Sequence, residues 1–302
     1  MLGQYHFLYN LKSGGLTRPG SLARLSAKIH GQFPDAPIAS IEPGDHEQLR
    51  QLENCLNAGY IPVVVGGDGT LSRTITHLIA IDSSSPILGH LPLGTGNDTP
   101  RSLQTPLSLE KAITKLRLKP EPKPLDILEV SESGKIIAHG LTLAAFGLPS
   151  QVIKKSKNLH WLGALKYAAG TILSLQNKPQ PTPHIDRLEA DCPLPSEPAR
   201  LVGLANGSYT GGGMKMVPSA SLYDGKAEFV MLDKTGPLRL LWLLLNVFVG
   251  THITDKHVTI TECNRLVATL DNDLDLVVDG EPYRVRGTID IRLRSQAITL
   301  LV

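Results

Sequence analysis

Two apolar runs that each stop abruptly in glycine constrain this chain more than anything else in it. "IPVVVGGDGTLS", residues 61–72, and "PILGHLPLGTGNDTP", residues 86–100, both read as buried strands entering a glycine turn and then a helix start. Strand, turn and helix in repeated succession imply parallel strands, because a parallel neighbour needs a long return connection and a helix supplies it. Ligands of such sheets bind beyond the carboxyl ends of the strands, where both turns must lie. Glycine there lets an anion reach bare backbone amides, and Thr70 and Ser72 add hydroxyls near the positive end of the following helix. Either stretch taken singly is also explained by a plain strand-to-helix turn. Two of them on neighbouring strands favour a phosphate site. Neither has the GxxxxGK[ST] spacing and neither contains a lysine, so a P-loop is excluded and no dinucleotide fingerprint is present.

The surrounding sequence extends the alternation. "YHFLYN" (5–10) and "PIASIE" (37–42) read as strands, while "LARLSAKIHGQF" (22–33), "HEQLRQLENCLNAG" (46–59) and "LSRTITHLIA" (71–80) read as helices. After the second turn, Asp98 or Thr99 suits an N-cap and Pro100 a first helical position. From Pro120 the texture changes: "EPKPLDILEV" leads from a linker into a strand, and "SESG" (131–134) is a hairpin turn before "KIIAHGLTLAAFG". A helical segment at 160–176 interrupts a series of short strands, among them "ARLVGLANGS", "AEFVMLD", "HVTITEC", "LVATL" and "TIDIRLRS". The expected fold class is α/β plus β. Residues 1–122 form a Rossmann-like α/β nucleotide-binding domain with a parallel sheet, and residues 123–302 a mostly-β sandwich whose last residues are free to return to the first domain.

Composition narrows the partners. A net charge of +2 is too mild for nucleic acid, and 5% aromatics leave few platforms for stacking bases. Cys55, Cys192 and Cys263 match neither a disulfide framework nor zinc spacing, which suits a reducing cytoplasm. "MLGQYHFLYN" lacks a basic segment leading into an apolar run, so no signal peptide is expected. The most apolar stretch, Leu240–Val249, contains Asn246 and is well short of the ~20 residues that span a bilayer. The chain is expected to be cytoplasmic and soluble, or peripheral at the inner membrane face.

"GGDGT" followed by "PLGTGND" resembles the diacylglycerol kinase catalytic-domain family, which includes bacterial lipid kinases and sphingosine kinases. The resemblance continues through "NGSYTGGGMKMVPSASLYDGKAEFVML" (206–232) and "VVDGEP" (277–282), in the family's order. It implies an ATP- and Mg2+-dependent lipid kinase that phosphorylates a hydroxyl of diacylglycerol or a related lipid. The reaction would lie in a cleft between an ATP domain and a lipid-substrate domain. Carried over, Gly66, Gly67, Asp68, Gly69 and Thr70, with Leu71 and Ser72 following, and Thr95 in the second turn, would serve the nucleotide phosphates. Ser40 matches a hydroxyl position at the same site, and Asn10 and Ser13 match an opening element in which Leu11 replaces a proline. Glu281 matches the proton acceptor, which a lipid hydroxyl requires as it attacks the γ-phosphorus. The Asp224 carboxylate with the carbonyls of Ser221 and Lys226 matches a magnesium site, an oxygen set suited to a hard cation.

Local alternatives stand beside these roles. "DGE" and "LYDGKA" are also ordinary Asp-Gly turns, and Asp68 and Asp98 either hold water around metal or cap helices. Gly211–Gly213 serve close approach or a flexible turn, and His252 fits a buried structural histidine. Ser72 and Arg73 stand where relatives usually carry Asn-Glu, and Thr99 and Pro100 where many have an aromatic and alanine. Lys154, Lys155 and Lys157 ahead of Trp161 suit membrane contact or a solvated charge run. "LRLLWLLLNVFVG" (238–250) suits an acyl-pocket wall or a core helix. Two other functions remain open: a soluble small-molecule kinase such as NAD kinase, and a lipid- or nucleotide-binding module without catalysis.

Overall fold

A computed structural model describes residues 4–11, 13–16, 19–41, 46–81, 85–118, 120–150, 152, 184–192, 194 and 199–302, with residues 46–49 as backbone only. The chain divides into two compact units, Met1–Leu125 with Gln296–Val302, and Asp126–Ser295.

The first unit alternates strand and helix: β1 Tyr5–Tyr9, α1 Ser21–His30, β2 Ile38–Ser40, α2 His46–Asn57, β3 Ile61–Gly66, α3 Asp68–Ile81, β4 Ile87–Pro92, α4 Asp98–Ser102 and α5 Leu109–Leu118. Its strands pair in the order β2-β1-β3-β4, all parallel, and Thr299–Leu301 lie parallel along β4. Val63, Val64 and Val65 are completely buried, as expected of a parallel strand covered on both faces. Leu25 and Ile29 of α1, four residues apart on one helical face, join Phe7, Val63, Val65 and Leu91 in the core. α3 begins at Asp68, three residues before the start read from the sequence. α5 was not read from the sequence at all, although Ala112, Ile113 and Leu116 present its buried stripe to the same core.

The second unit is β-rich: β5 Pro122–Glu132, which opens at the boundary, then β6 Lys135–Gly140, β7 Leu143–Gly147, β8 Arg187–Ala190, β9 Ala199–Ala205, β10 Glu228–Asp233, α6 Pro237–Val247, β11 Val258–Glu262, β12 Arg265–Val278 and β13 Glu281–Leu301. Antiparallel pairs join β11, β10, β9, β7, β12 and β13 in that order. β9 is buried at every position, at the centre of this series. The "SESG" hairpin turns through Ser133 and Gly134, with φ of 49° and 85°, the left-handed pair that matches strand twist. "LVATL" and "TIDIRLRS", read as short strands, are parts of β12 and β13, which run for 14 and 21 residues. The helix read at 160–176 and the Lys154–Trp161 stretch lie outside the described residues.

Candidate functional site

Three loops meet at the carboxyl edge of the parallel sheet: Asn10 follows β1, Gly67 follows β3 and Leu93 follows β4. Strand order reverses between β1 and β3, the position where open α/β sheets bind ligands. There the Asn10 amide donates to Val65 O at 3.3 Å, and its side-chain Nδ2 donates to Thr70 Oγ1 at 3.0 Å. The Gly67 carbonyl accepts the amides of Thr70 and Leu71, both at 3.1 Å, and so starts α3. Helix geometry leaves the first-turn amides of Asp68 and Gly69 with no intrahelical acceptor, and the macrodipole adds positive potential.

The turns touch backbone to backbone. A Cβ on Gly94 would stand 2.5 Å from Gly67 Cα, and one on Gly67 would stand 3.0 Å from Gly94 Cα. A Cβ on Gly14 would stand 2.9 Å from Thr95 Cγ2, and Gly15 donates to Leu93 O at 3.3 Å. The sequence reading assigned the adjacent Ser13 but not these two glycines. Their signal was the "SGG" triplet in the loop that follows the first strand.

Asp68 joins the two turns. Its carboxylate accepts the amides of Asp98 at 3.0 Å and Thr99 at 2.9 Å, capping α4 from a different loop. Neither Asp98 nor Thr99 is therefore the N-cap. Asn97 holds that position at φ 52°, and its side chain turns back to accept the Gly94 amide at 3.1 Å. That geometry leaves the first helical amides to Asp68, and Pro100 falls at the third helical position. Behind the turn, His90 Nε2 lies 3.1 Å from the Gly66 carbonyl. Burial lowers its pKa, opposed by Asp68 and by this hydrogen bond, so the ring is neutral and donates.

Gly67, Asp68 and Gly69 are half-buried around the turn, and Thr95 stands exposed on the second turn. Ser40 is exposed at the end of β2, opposite Tyr9. Gly66, Thr70, Leu71 and Ser72 are buried, and the Leu71 and Ser72 side chains belong to the packed interior of α3.

In the second unit, Glu281 opens β13 opposite Val278, after a two-residue turn in which Asp279 and Gly280 have φ of 46° and 84°. The Asp279 carboxylate accepts the amides of Leu141 at 2.6 Å, Thr142 at 2.8 Å and Leu143 at 3.2 Å, and the Thr142 hydroxyl at 2.7 Å. Burial raises its pKa, and these donors oppose the shift. Asn206 Nδ2 donates to Leu141 O at 2.9 Å and Asp126 O at 3.0 Å. The Asp126 carboxylate in turn accepts the Gly225 amide at 2.7 Å, and its own amide donates to Leu222 O at 2.8 Å. Segments scattered from residue 126 to residue 279 thus form one network. Asp126 escaped the sequence reading; its signal was a lone carboxylate within the apolar run "PLDILEV".

Asp224 Oδ1 accepts the Lys226 amide at 3.1 Å, closing the turn around Gly225 at φ 75°. Beside it, burial pushes Glu228 up to about 7, with the Asp224 and Glu262 carboxylates adding and Lys226 opposing. Ser221 Oγ and Glu228 Oε2 are buried without a hydrogen-bond partner. A surplus of oxygen and negative charge is the donor set of a hard divalent cation, so these residues fit magnesium. Gly211, Gly212 and Gly213 all have positive φ within a loop closed by Thr210 and Met214. His252 is buried, its Nε2 lying 2.9 Å from Met216 O.

An α/β unit with paired glycine turns at its switch point is followed by a β-rich unit with a carboxylate-bearing hairpin. Residues 4–130 match the diacylglycerol kinase catalytic domain, and residues 142–302 match the YegS C-terminal NAD kinase beta sandwich-like domain. The chain is 29% identical over 278 residues to a diacylglycerol kinase of Bacillus subtilis, covering 91% of this chain and 88% of that one. It is 30% identical over 225 residues to a "probable lipid kinase YegS-like" of Yersinia enterocolitica, covering 72% and 70%. A solved diacylglycerol kinase of Bacillus anthracis shares the fold, with TM-score 0.69 at 17% identity, covering 100% of this chain and 97% of that one. This chain belongs to the diacylglycerol kinase catalytic-domain family, a family of kinases.

Proposed function

We propose that the chain transfers the γ-phosphate of ATP to a hydroxyl of diacylglycerol or a related lipid, with Glu281 as general base. The observation that carries the reading is the start of α3 at Gly67, whose carbonyl accepts the Thr70 and Leu71 amides while the first-turn amides of Asp68 and Gly69 have no intrahelical acceptor, in a turn held by its backbone contact with Gly94. The Asn10–Thr70 bond and the Asp68 cap hold those amides in place before a nucleotide arrives, so little ordering remains to be done on binding. In the second unit, the Asp279 anchor fixes the hairpin turn, and Glu281 follows it by two residues. Glu281 would accept the acceptor hydroxyl's proton as its oxygen attacks phosphorus. Asp224, with the carbonyls of Ser221 and Lys226, would hold magnesium. That ion would supply positive charge that steadies the Asp126–Gly225 loop. The names of the Bacillus subtilis and Yersinia relatives support a lipid acceptor.

NAD kinase-like activity on a soluble acceptor is the second reading, favoured by the NAD kinase-like description of the second family match. Labelled ATP offered with mixed lipid micelles and with NAD separates the two. Label in the lipid phase is expected, and label on NAD alone sinks the lipid assignment. Nucleotide binding with no turnover would favour a non-catalytic module, a reading motivated by Ser72 and Arg73. Glu281→Gln should keep nucleotide affinity while lowering kcat by about 100-fold or more. An unchanged kcat removes Glu281 as the base.

A further inference from the structure

The helix α6 has two apolar faces. Leu240, Leu243, Leu244 and Val247 are buried in the second unit, as the core-helix reading of this stretch expects. The other face is not covered: Leu238 is 83% exposed, Trp242 41%, Leu245 66% and, just past the helix end, Val249 68%. Successive spacings of four, three and four residues align them as one stripe, and Phe248 and Ile253, past the helix end, are exposed as well. Charge around the stripe has one sign. Residues 234–254 contain no aspartate or glutamate, and Lys234, Arg239 and Lys256, within the run or just beyond it, are exposed. Of the two aspartates that flank this run, Asp233 is half-buried, and Asp255 is buried and ion-paired with Arg239. The Arg239 guanidinium lies 4.5 Å over the Trp242 ring, holding the indole at the border of the patch.

We infer that this face of α6 rests on a bilayer containing anionic lipid, with the leucines and Trp242 among the upper acyl chains and the lysines and Arg239 at the headgroups. Leucine and tryptophan on one face, bordered by cations and free of acids, is the make-up of a helix lying in an interface. At about 1.5 Å per residue, eleven residues cannot cross the hydrocarbon layer, so the helix lies along the surface. A second copy of this chain is a poorer occupant, because a two-fold contact would set the exposed Lys234 and Lys256 against themselves. The inference rests on the lipid-kinase reading for its purpose, since a lipid kinase must work at an interface, but the surface evidence is independent of it.

The test uses the full chain without nucleotide, mixed with vesicles of phosphatidylcholine alone or with roughly 30% phosphatidylglycerol added, an anionic lipid fraction high enough to attract basic segments. The chain has two tryptophans, so Trp161→Phe leaves Trp242 as the only indole reporter. Co-sedimentation with the anionic vesicles, weakened by salt, and a blue shift of Trp242 emission are expected. Leu238→Ser combined with Leu245→Ser should lower partitioning by about tenfold or more with the melting temperature held, and Trp242→Phe should retain most of it. Absence of wild-type binding, equal binding by the double variant, or a dimer that the double variant dissolves without affecting vesicles would each overturn the inference. Vesicle binding through α6 with no lipid ever phosphorylated sinks the kinase reading alone. Lipid phosphorylation in detergent micelles, with vesicle binding indifferent to α6, sinks this inference alone.

Discussion

Glu228 and Asp279 are both carboxylates of the second unit, and their surroundings separate them. Asp279 has four donors around it, whereas Glu228 Oε2 has no partner and faces the charges of Asp224 and Glu262. The Glu228 carboxyl is raised from 4.5 to about 7, so between those values the folded chain keeps a proton that the unfolded chain has lost. Stability is therefore expected to fall as pH rises from about 4.5 to about 7 and then to level, by on the order of 1–2 kcal/mol once solvent screening is allowed for. Glu228→Gln should flatten that slope and melt above the wild type at pH 8. Magnesium, if held by Asp224, should raise the wild-type melting temperature more at pH 8 than at pH 6, because protons no longer compete. Chemical denaturation across this range checks the slope; coincident profiles for variant and wild type would refute the assignment.

At the scale of elements, the first unit's site is a contact between turns. β3 and β4 are parallel neighbours, and their turns approach until only glycine fits. Gly94→Ala must push its Cβ away from Gly67 Cα at 2.5 Å, a backbone atom that no rotamer change can move, and from Asn97 Oδ1 at 3.0 Å. A loss of about 1–3 kcal/mol is expected, as for other overpacked sites, with a nucleotide affinity at least about tenfold weaker. Gly236→Ala is the control: its φ is −71° and nothing lies within 4 Å of a Cβ there. Calorimetric nucleotide titration of both variants decides the matter, and equal affinities would separate turn contact from phosphate binding.

At the scale of the whole molecule, the chain leaves the first unit at Leu125 and returns to it at Gln296. The returning segment adds a parallel strand beside β4, with Ile298, Leu300 and Leu301 almost fully buried, and Val302 exchanges backbone hydrogen bonds with Glu121 at 3.1 Å. Deleting residues 296–302 removes these three aliphatic side chains from the core, roughly 5–9 kcal/mol, comparable to the whole stability of a domain. The truncated chain should bind a hydrophobic dye and be cut by protease within residues 1–125 under conditions where the full chain resists. Equal protection of the two chains would show that the first unit does not need its last strand.

Much of this was legible in the residues. The parallel α/β character of the first unit followed from apolar runs ending in glycine, and the hairpin at Ser133–Gly134 from its turn chemistry, because period and turn preference are local properties. α5 was passed over although its buried stripe was present, and β12 and β13 were read as fragments because charged and polar residues interrupt them. The sequence by itself determined the parallel strand–helix alternation of the first unit and the glycine turns after β3 and β4. Only the tertiary structure decided that Asp68 caps a helix 30 residues away, that Asn206 donates to a carbonyl 80 residues away, and that one face of α6 stays uncovered. Such pairings depend on which distant groups packing brings within about 3 Å of one another, and no local pattern encodes that distance.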